Sequence, residues 1–121
     1  MEQDNHRETW RTYQAAWEDV SPDRRHQLLS ESVAPNCEYS DPLIECRGVA
    51  EIGARIERAR EEAPGITFRN DDFHRHHDHC VAVWRRFTAA GRADFVGTSY
   101  GRFGDDGRLV QITGFPAPVQ S

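Results

Sequence analysis

Apolar residues recur at two different spacings along this chain, and the change from one to the other divides it. Near the start, Trp10, Tyr13, Trp17 and Val20 return every three or four positions, which marks one face of a helix. The spacing predicts a helix from about His6 to Asp19, capped by Asn5, with Glu8 closing a capping box. Ser21-Pro22 then supplies a cap followed by a proline suited to a first helical turn. The helix it starts carries Leu28 and Leu29 inward and stops before Pro35-Asn36; Cys37 to Ser40 reads as a short strand closed by a turn at Asp41-Pro42. After Gly48, the positions Val49, Ile52, Ile56 and Ala59 form the buried stripe of a third helix. Glu51 with Arg55 and Arg58 with Glu62 stand four apart on its wet face, and Pro64-Gly65 ends it.

Beyond Ile66 the helical spacing gives way to strand-like segments. Strands are expected over Ile66 to Arg75, Cys80 to Thr88, Arg92 to Phe103 and Arg108 to Phe115. They are separated by His77-Asp78, Ala90-Gly91 and Gly104-Asp105-Asp106-Gly107, the last containing the hairpin dipeptide Asp-Gly. Connections this short cannot hold a crossover helix, so successive strands must run antiparallel. Helices first and strands afterwards imply the α+β class. The expected architecture is a cone-shaped curved antiparallel sheet wrapped around a long helix, with two further N-terminal helices, forming one domain over residues 1–121. Such a sheet can enclose a cavity on its concave face.

Composition narrows the function classes. Of the 121 residues, 37% are hydrophobic and 29% charged, enough for one core and a wet exterior. The net charge of -5 speaks against a nucleic-acid partner, since phosphate binding needs a positive surface. No apolar run approaches the roughly 20 residues that span a bilayer, and Met1 to His6 has neither a basic start nor an apolar stretch. A cytoplasmic protein with no membrane partner is therefore expected. Cys37, Cys46 and Cys80 are odd in number and widely spaced, so they read as reduced, packed thiols.

The element order, together with Tyr39-Ser40-Asp41-Pro42 ahead of Arg47-Gly48, His76-His77-Asp78 ahead of Val81-Ala82-Val83-Trp84, and Phe103 with Asp106-Gly107-Arg108-Leu109 ending at Gly114-Phe115, resembles the nuclear transport factor 2-like or SnoaL-like superfamily, a cystatin-like α+β roll. The likeness covers nearly the whole chain. It implies a pocket, and a homodimer paired through the outer sheet face, where Thr98, Tyr100 and Arg102 alternate. It does not fix a function, because the fold hosts isomerases, dehydratases, cyclases, epoxide hydrolases and non-catalytic binders.

In the ketosteroid isomerase branch the aspartate matching Asp41 is a general base, and burial at a pocket rim can raise its pKa to a useful value. That branch also needs two donors for a developing oxyanion, a tyrosine and a protonated aspartate. The resemblance sets Trp17 at the tyrosine position, with Tyr13 one turn earlier, and Ser99 at the acid position, so the family's pair is not reproduced. The epoxide hydrolase branch requires an Arg and two Asp on one water; Arg85, Arg86 and Asp94 do not repeat its spacing. His76 is a further candidate acid, base or donor, since imidazole titrates near neutrality. His74 and His76 share a strand face and make a start for a metal site; a third ligand must come from elsewhere, Asp72 sharing their parity, and no metal or cofactor is expected. For ligand contacts the candidates are Trp17, Tyr39, Phe68, Trp84 and Phe115, whose rings suit a hydrophobic, ring-containing small molecule; Trp10 reads as core. The faces taken by Trp84 and His76 depend on the hairpin register. Two functions stay open: a cofactor-independent isomerase, cyclase or lyase-like enzyme, and a non-catalytic ligand-binding or dimerisation domain.

Overall fold

The structure, a computed structural model, describes residues 2–119. Three helices, α1 (Glu2–Ala15), α2 (Pro22–Ser32) and α3 (Gly48–Glu62), pack against a six-stranded sheet of β1 (Val33–Asp41), β2 (Ile44–Arg47), β3 (Thr67–His76), β4 (His79–Phe87), β5 (Ala93–Phe103) and β6 (Leu109–Pro118). The sheet order is β2-β1-β6-β5-β4-β3. The meander from β3 to β6 is antiparallel throughout, as the short connections require. The parallel pairing of β1 with β6 was not legible in the sequence and makes the sheet mixed.

Local chemistry explains the helices. Ser21 Oγ accepts the Arg24 backbone N–H at 3.1 Å and Pro22 fills the first turn, so α2 starts where expected. Helix α1 begins earlier than the capping-box reading, and Asn5 lies inside it rather than at its cap. It also stops at Ala15, before Asp19. The turn that follows is held by Arg25, buried, whose guanidinium donates to the carbonyls of Ala16, Glu18 and Val20 at 2.8 to 3.2 Å. A charge this buried is tolerable because three carbonyls and the Glu57 carboxylate, 3.4 Å away, satisfy it.

Strand β6 runs on to Pro118, past the expected end at Phe115, and two further strands differ from expectation. Strand β1 begins at Val33, ahead of Pro35, and its register against β6 shifts between Val33 and Glu38. Proline has no N–H to give a ladder, and an irregularity is where a sheet tolerates it. Strand β2 went unrecognised because its four residues are exposed or half-exposed and lack alternation. The two-residue turn Pro42-Leu43 joins it to β1, with Asp41 opposite Ile44.

The concave face of the sheet closes on α1 and α3. Ile52 and Ile56 of α3 meet Trp10, Leu29, Phe73, Ala82, Phe103 and Ile112 in one buried cluster. Register shifts in the β3–β4, β4–β5 and β5–β6 ladders are bulges that bend the strands. Gly97 governs the wall of the interior: a Cβ there would lie 2.1 Å from Trp84 Cζ2. The missing side chain lets the Trp84 indole lie against β5. Gly97→Ala is therefore expected to lower stability by about 2 kcal/mol through overpacking, measured by urea denaturation, and to shift the tryptophan emission; an unchanged midpoint and spectrum would refute the packing role of Gly97.

Candidate functional site

The bent sheet, α1 and α3 enclose a cavity of about 360 Å³. Aromatic side chains dominate its wall: Trp10, Tyr13, Trp17, Tyr39, Phe68, Trp84 and Phe95 line it. Trp10 and Tyr13 come from the inward face of α1, Trp17 from the turn that follows it, and the others from inward positions of the strands. Trp17 and Tyr39 lie 6.4 Å apart between centroids, Trp17 and Phe68 5.6 Å, and Phe68 and Trp84 5.8 Å. A run of tilted and edge-on rings of this kind offers faces and edges to a flat ligand.

Polar groups are few. Asp41, at the end of β1, lies beside the Pro42-Leu43 turn, and both turn residues line the cavity. Its Oδ2 accepts from the Tyr39 hydroxyl at 2.6 Å and from Arg55 Nε at 2.8 Å, and its Oδ1 accepts from the Leu43 backbone N–H at 2.9 Å. The carboxylate is 6% exposed and the Arg55 side chain 14%. Burial pushes the Asp41 carboxyl up, but the Tyr39 and Arg55 hydrogen bonds, the Leu43 N–H and the guanidinium charge together carry it below the ordinary carboxylate value. This reverses the raised pKa expected from the sequence: the residue is an ion-paired carboxylate rather than an isolated one. Burial, with further contributions from neighbouring acids, raises both Tyr13 and Tyr39, so both phenols stay protonated near neutrality.

Two further hydrogen bonds join aromatic and hydroxyl groups in the wall. Trp17 Nε1 donates to Tyr13 Oη at 2.9 Å, one helical turn back, and Trp84 Nε1 donates to Ser99 Oγ at 3.0 Å across the β4–β5 ladder. At the rim Arg86 holds Asp94 through two bonds of 2.8 and 3.1 Å and covers Phe95.

Of the residues singled out by sequence, Asp41, Tyr13, Trp17, Ser99, Tyr39, Phe68 and Trp84 come together around this one cavity. Two do not. His76 is exposed at the end of β3, beside the His77-Asp78 turn, because the hairpin tip falls at the edge of the sheet. Phe115 is 63% exposed; its neighbours Gly114 and Pro116 face the cavity, so strand alternation turns Phe115 outward. Arg85 pairs with Asp71 outside the lining, so the Arg85, Arg86 and Asp94 set is split. Among the described residues no group of three or more His, Cys, Asp or Glu is placed to hold a metal ion; His74 Nε2 stands 2.9 Å from Asp72 Oδ2. Arg55 was missed. The sequence reading paired it with Glu51 on the wet face, yet Ile52, Arg55, Ile56 and Ala59 follow the spacing of one helical face. A cation at a stripe position was the available signal.

A curved sheet closed over a helix around an aromatic hollow defines a class of cone-shaped α+β pocket proteins. The chain belongs to the SnoaL-like domain family, whose profile matches residues 10–112. It is similar to a SnoaL-like family protein from Agrobacterium tumefaciens provisionally named an isomerase, at 31% identity, over 93% of this chain and 97% of that one, with a TM-score of 0.87. A protein of unknown function with a cystatin-like fold from Methylobium petroleophilum shares 19% identity over 97% of this chain and 78% of that one (TM-score 0.77). A provisionally named polyketide cyclase from Sinorhizobium meliloti shares 16% over 88% and 93% (TM-score 0.72). The last two likenesses bear on fold alone. No curated protein matches the chain.

The Asp41–Arg55 pair sets an acid limit on stability. A carboxyl whose folded pKa is depressed contributes stability fully present above its unfolded value near 3.8, and loses it as pH falls through the folded value. Unfolding free energy should therefore drop below about pH 4 more steeply in the native protein than in Asp41→Asn. At neutral pH Asp41→Asn leaves Arg55 half-buried without its charge partner and should cost about 3 kcal/mol by urea denaturation; a neutral-pH cost near zero would show that the pair is not coupled to folding.

Proposed function

We propose that this chain binds a hydrophobic, ring-containing small molecule in the aromatic cavity and acts on it by cofactor-independent acid–base chemistry, as an isomerase or cyclase. The observation that carries this reading is a carboxylate set into the wall of an otherwise apolar, ring-lined hollow, with hydroxyl donors in the same lining. The provisional naming of one relative as an isomerase and of another as a polyketide cyclase agrees with it.

In this reading Asp41 takes a proton from carbon next to a carbonyl, and the Tyr13 or Ser99 hydroxyl holds the oxygen on which negative charge grows. An ion-paired carboxylate is a weak base. It therefore suits a carbon acid made more acidic by its own carbonyl groups and by those donors. Trp17, Tyr39, Phe68 and Trp84 hold the ring system. Asp41→Asn should lower turnover of a cyclisable or isomerisable ring ketone by about a hundredfold or more while ligand binding survives. Turnover equal to the native protein would reject Asp41 as the base.

The Arg55 pairing also favours a second reading, a binding domain without catalysis, because it spends much of the basicity of Asp41. Tight binding across a panel of ring ketones with no turnover of any would select it.

Self-association through the outer sheet face belongs to the same proposal. Phe115, Val81 and Val96 are exposed there at 63%, 37% and 38%, on adjoining strands. Phe115→Glu should shift a dimer towards monomer in sedimentation; a native protein that sediments only as monomer would contradict the pairing. The three cysteines are all free, which suits a reducing, cytoplasmic setting. No helix among the described residues is long and apolar enough to cross a membrane.

A further inference from the structure

The histidines at the tip of the β3–β4 hairpin take no part in the cavity. His76 and His79 stand opposite each other in the ladder, and His77-Asp78 makes the turn between them. His76 and His77 are both exposed. Their rings meet at 87°, and the two Nδ1 atoms lie 3.1 Å apart. Consecutive residues of a strand turn their side chains to opposite faces. Here His77 takes φ +51, a left-handed conformation that is unfavourable for a residue with a side chain, and the reversal of the backbone at that point leaves its ring against His76. Arg75 pins the same peptide, donating from a terminal amine to the His77 carbonyl at 2.6 Å. His79 stands beside the pair. Its ring is 5.5 Å from that of His76, its Nδ1 meets the Tyr100 hydroxyl, and the Asp78 carboxylate lies 3.4 Å from its Nε2.

Two imidazole nitrogens this close have two ways to be satisfied. They can share one proton as donor and acceptor, or both can give a lone pair to one metal ion. Nitrogens about 2.1 Å from a common ion stand roughly 2.9 Å apart at a right angle and roughly 3.4 Å apart at the tetrahedral angle. The observed 3.1 Å falls between these limits. We propose that His76 and His77 form a two-nitrogen surface site for a late first-row divalent ion. Imidazole ligands favour Cu2+ and Ni2+ over Zn2+, and Mg2+ and Ca2+, which seek oxygen, are left out. Water fills the remaining positions around the ion, so the site is an exchangeable one. The fold already holds both rings in place, so binding has little left to order. No exposed thiol competes, since Cys37 and Cys80 are buried and Cys46 is half-buried. Neither His76 nor His77 lines the cavity, and the site does not depend on what the cavity binds.

The test uses the full, untagged chain. Ni2+ is titrated in while the histidine ring signals are followed by NMR. Paramagnetic broadening should reach His76 and His77 first, ahead of His6, His26 and His74, and Mg2+ at the same concentrations should shift none of them. Calorimetric titration should show Ni2+ affinity weakened about tenfold or more in His77→Gly and in His76→Gln. Glycine accepts φ +51, so His77→Gly keeps the turn and removes the ligand alone, while His76→Gln keeps the strand. Ni2+ should also raise the thermal midpoint of the native protein and leave those of both variants where they are. Native-like Ni2+ affinity in both variants would overturn the proposal, as would broadening that begins at His74 beside Asp72. Ring signals of His76 and His77 that Ni2+ leaves untouched would also overturn it, and would mark their contact as a shared proton and nothing more.

Discussion

One charge pair, set in the wall of the cavity, joins the sheet to the helix that packs on it. Asp41 ends the first long strand and Arg55 stands midway along α3, so their 2.8 Å contact ties sheet to helix within the wall of the cavity. Neither charge is stable there alone. The pair joins β1 to α3, shares the Tyr39 hydroxyl in the same network, and holds the Pro42-Leu43 turn through the Leu43 N–H. It also decides the chemistry. The same contacts that make burial affordable keep the carboxylate ionised and weakly basic, so any reaction at this site has to supply acidity from the substrate and from the donors around it.

A second constraint works from β4 and β5. The bare Cα of Gly97 leaves room for the Trp84 indole, and that placement brings its N–H to Ser99. The polar character of the hollow thus depends on an absent side chain two residues from the hydroxyl it serves. Packing and hydrogen bonding cannot be varied independently here, because an indole displaced by one methyl group also loses its acceptor.

Much of this was legible from residue spacing. The helical recurrence of Trp10, Tyr13 and Trp17, the cap at Ser21, the stripe after Gly48 and the four-strand meander all appear in the fold, because each is a local pattern with a local cause. The cavity residues Asp41, Tyr13, Trp17, Tyr39, Phe68, Trp84 and Ser99 were found by combining those patterns with the family likeness. What could not be read depends on partners distant in sequence. Phe115 was misplaced because its face is set by the register against β5, where it stands opposite Thr98, and a shift of one residue reverses every side chain. His76 was misplaced because it sits where the strand gives way to the hairpin tip. Arg55 was assigned to water because its partner lies fourteen positions away on a strand, while Glu51 stood four away on the same helix. Strand β2 was lost because a short, exposed edge needs no hydrophobic alternation.

The parallel contact between β1 and β6 has a consequence for how the molecule comes into being. A strand from the first third of the chain is held by the last strand of the sheet, with Tyr39 beside Ile112 and Ser40 beside Thr113. Contacts of such long sequence separation carry a large loop-closure cost and form late. During synthesis, the helices and the early hairpins can assemble while β1 still waits for its neighbour. Until β6 arrives, the edge of β1 that ends in Asp41 is open, and the ring-lined hollow lacks its closing side. The cavity is therefore complete only once β6 has docked, and a nascent chain halted before Leu109 would leave the aromatic residues of its wall without that closing strand.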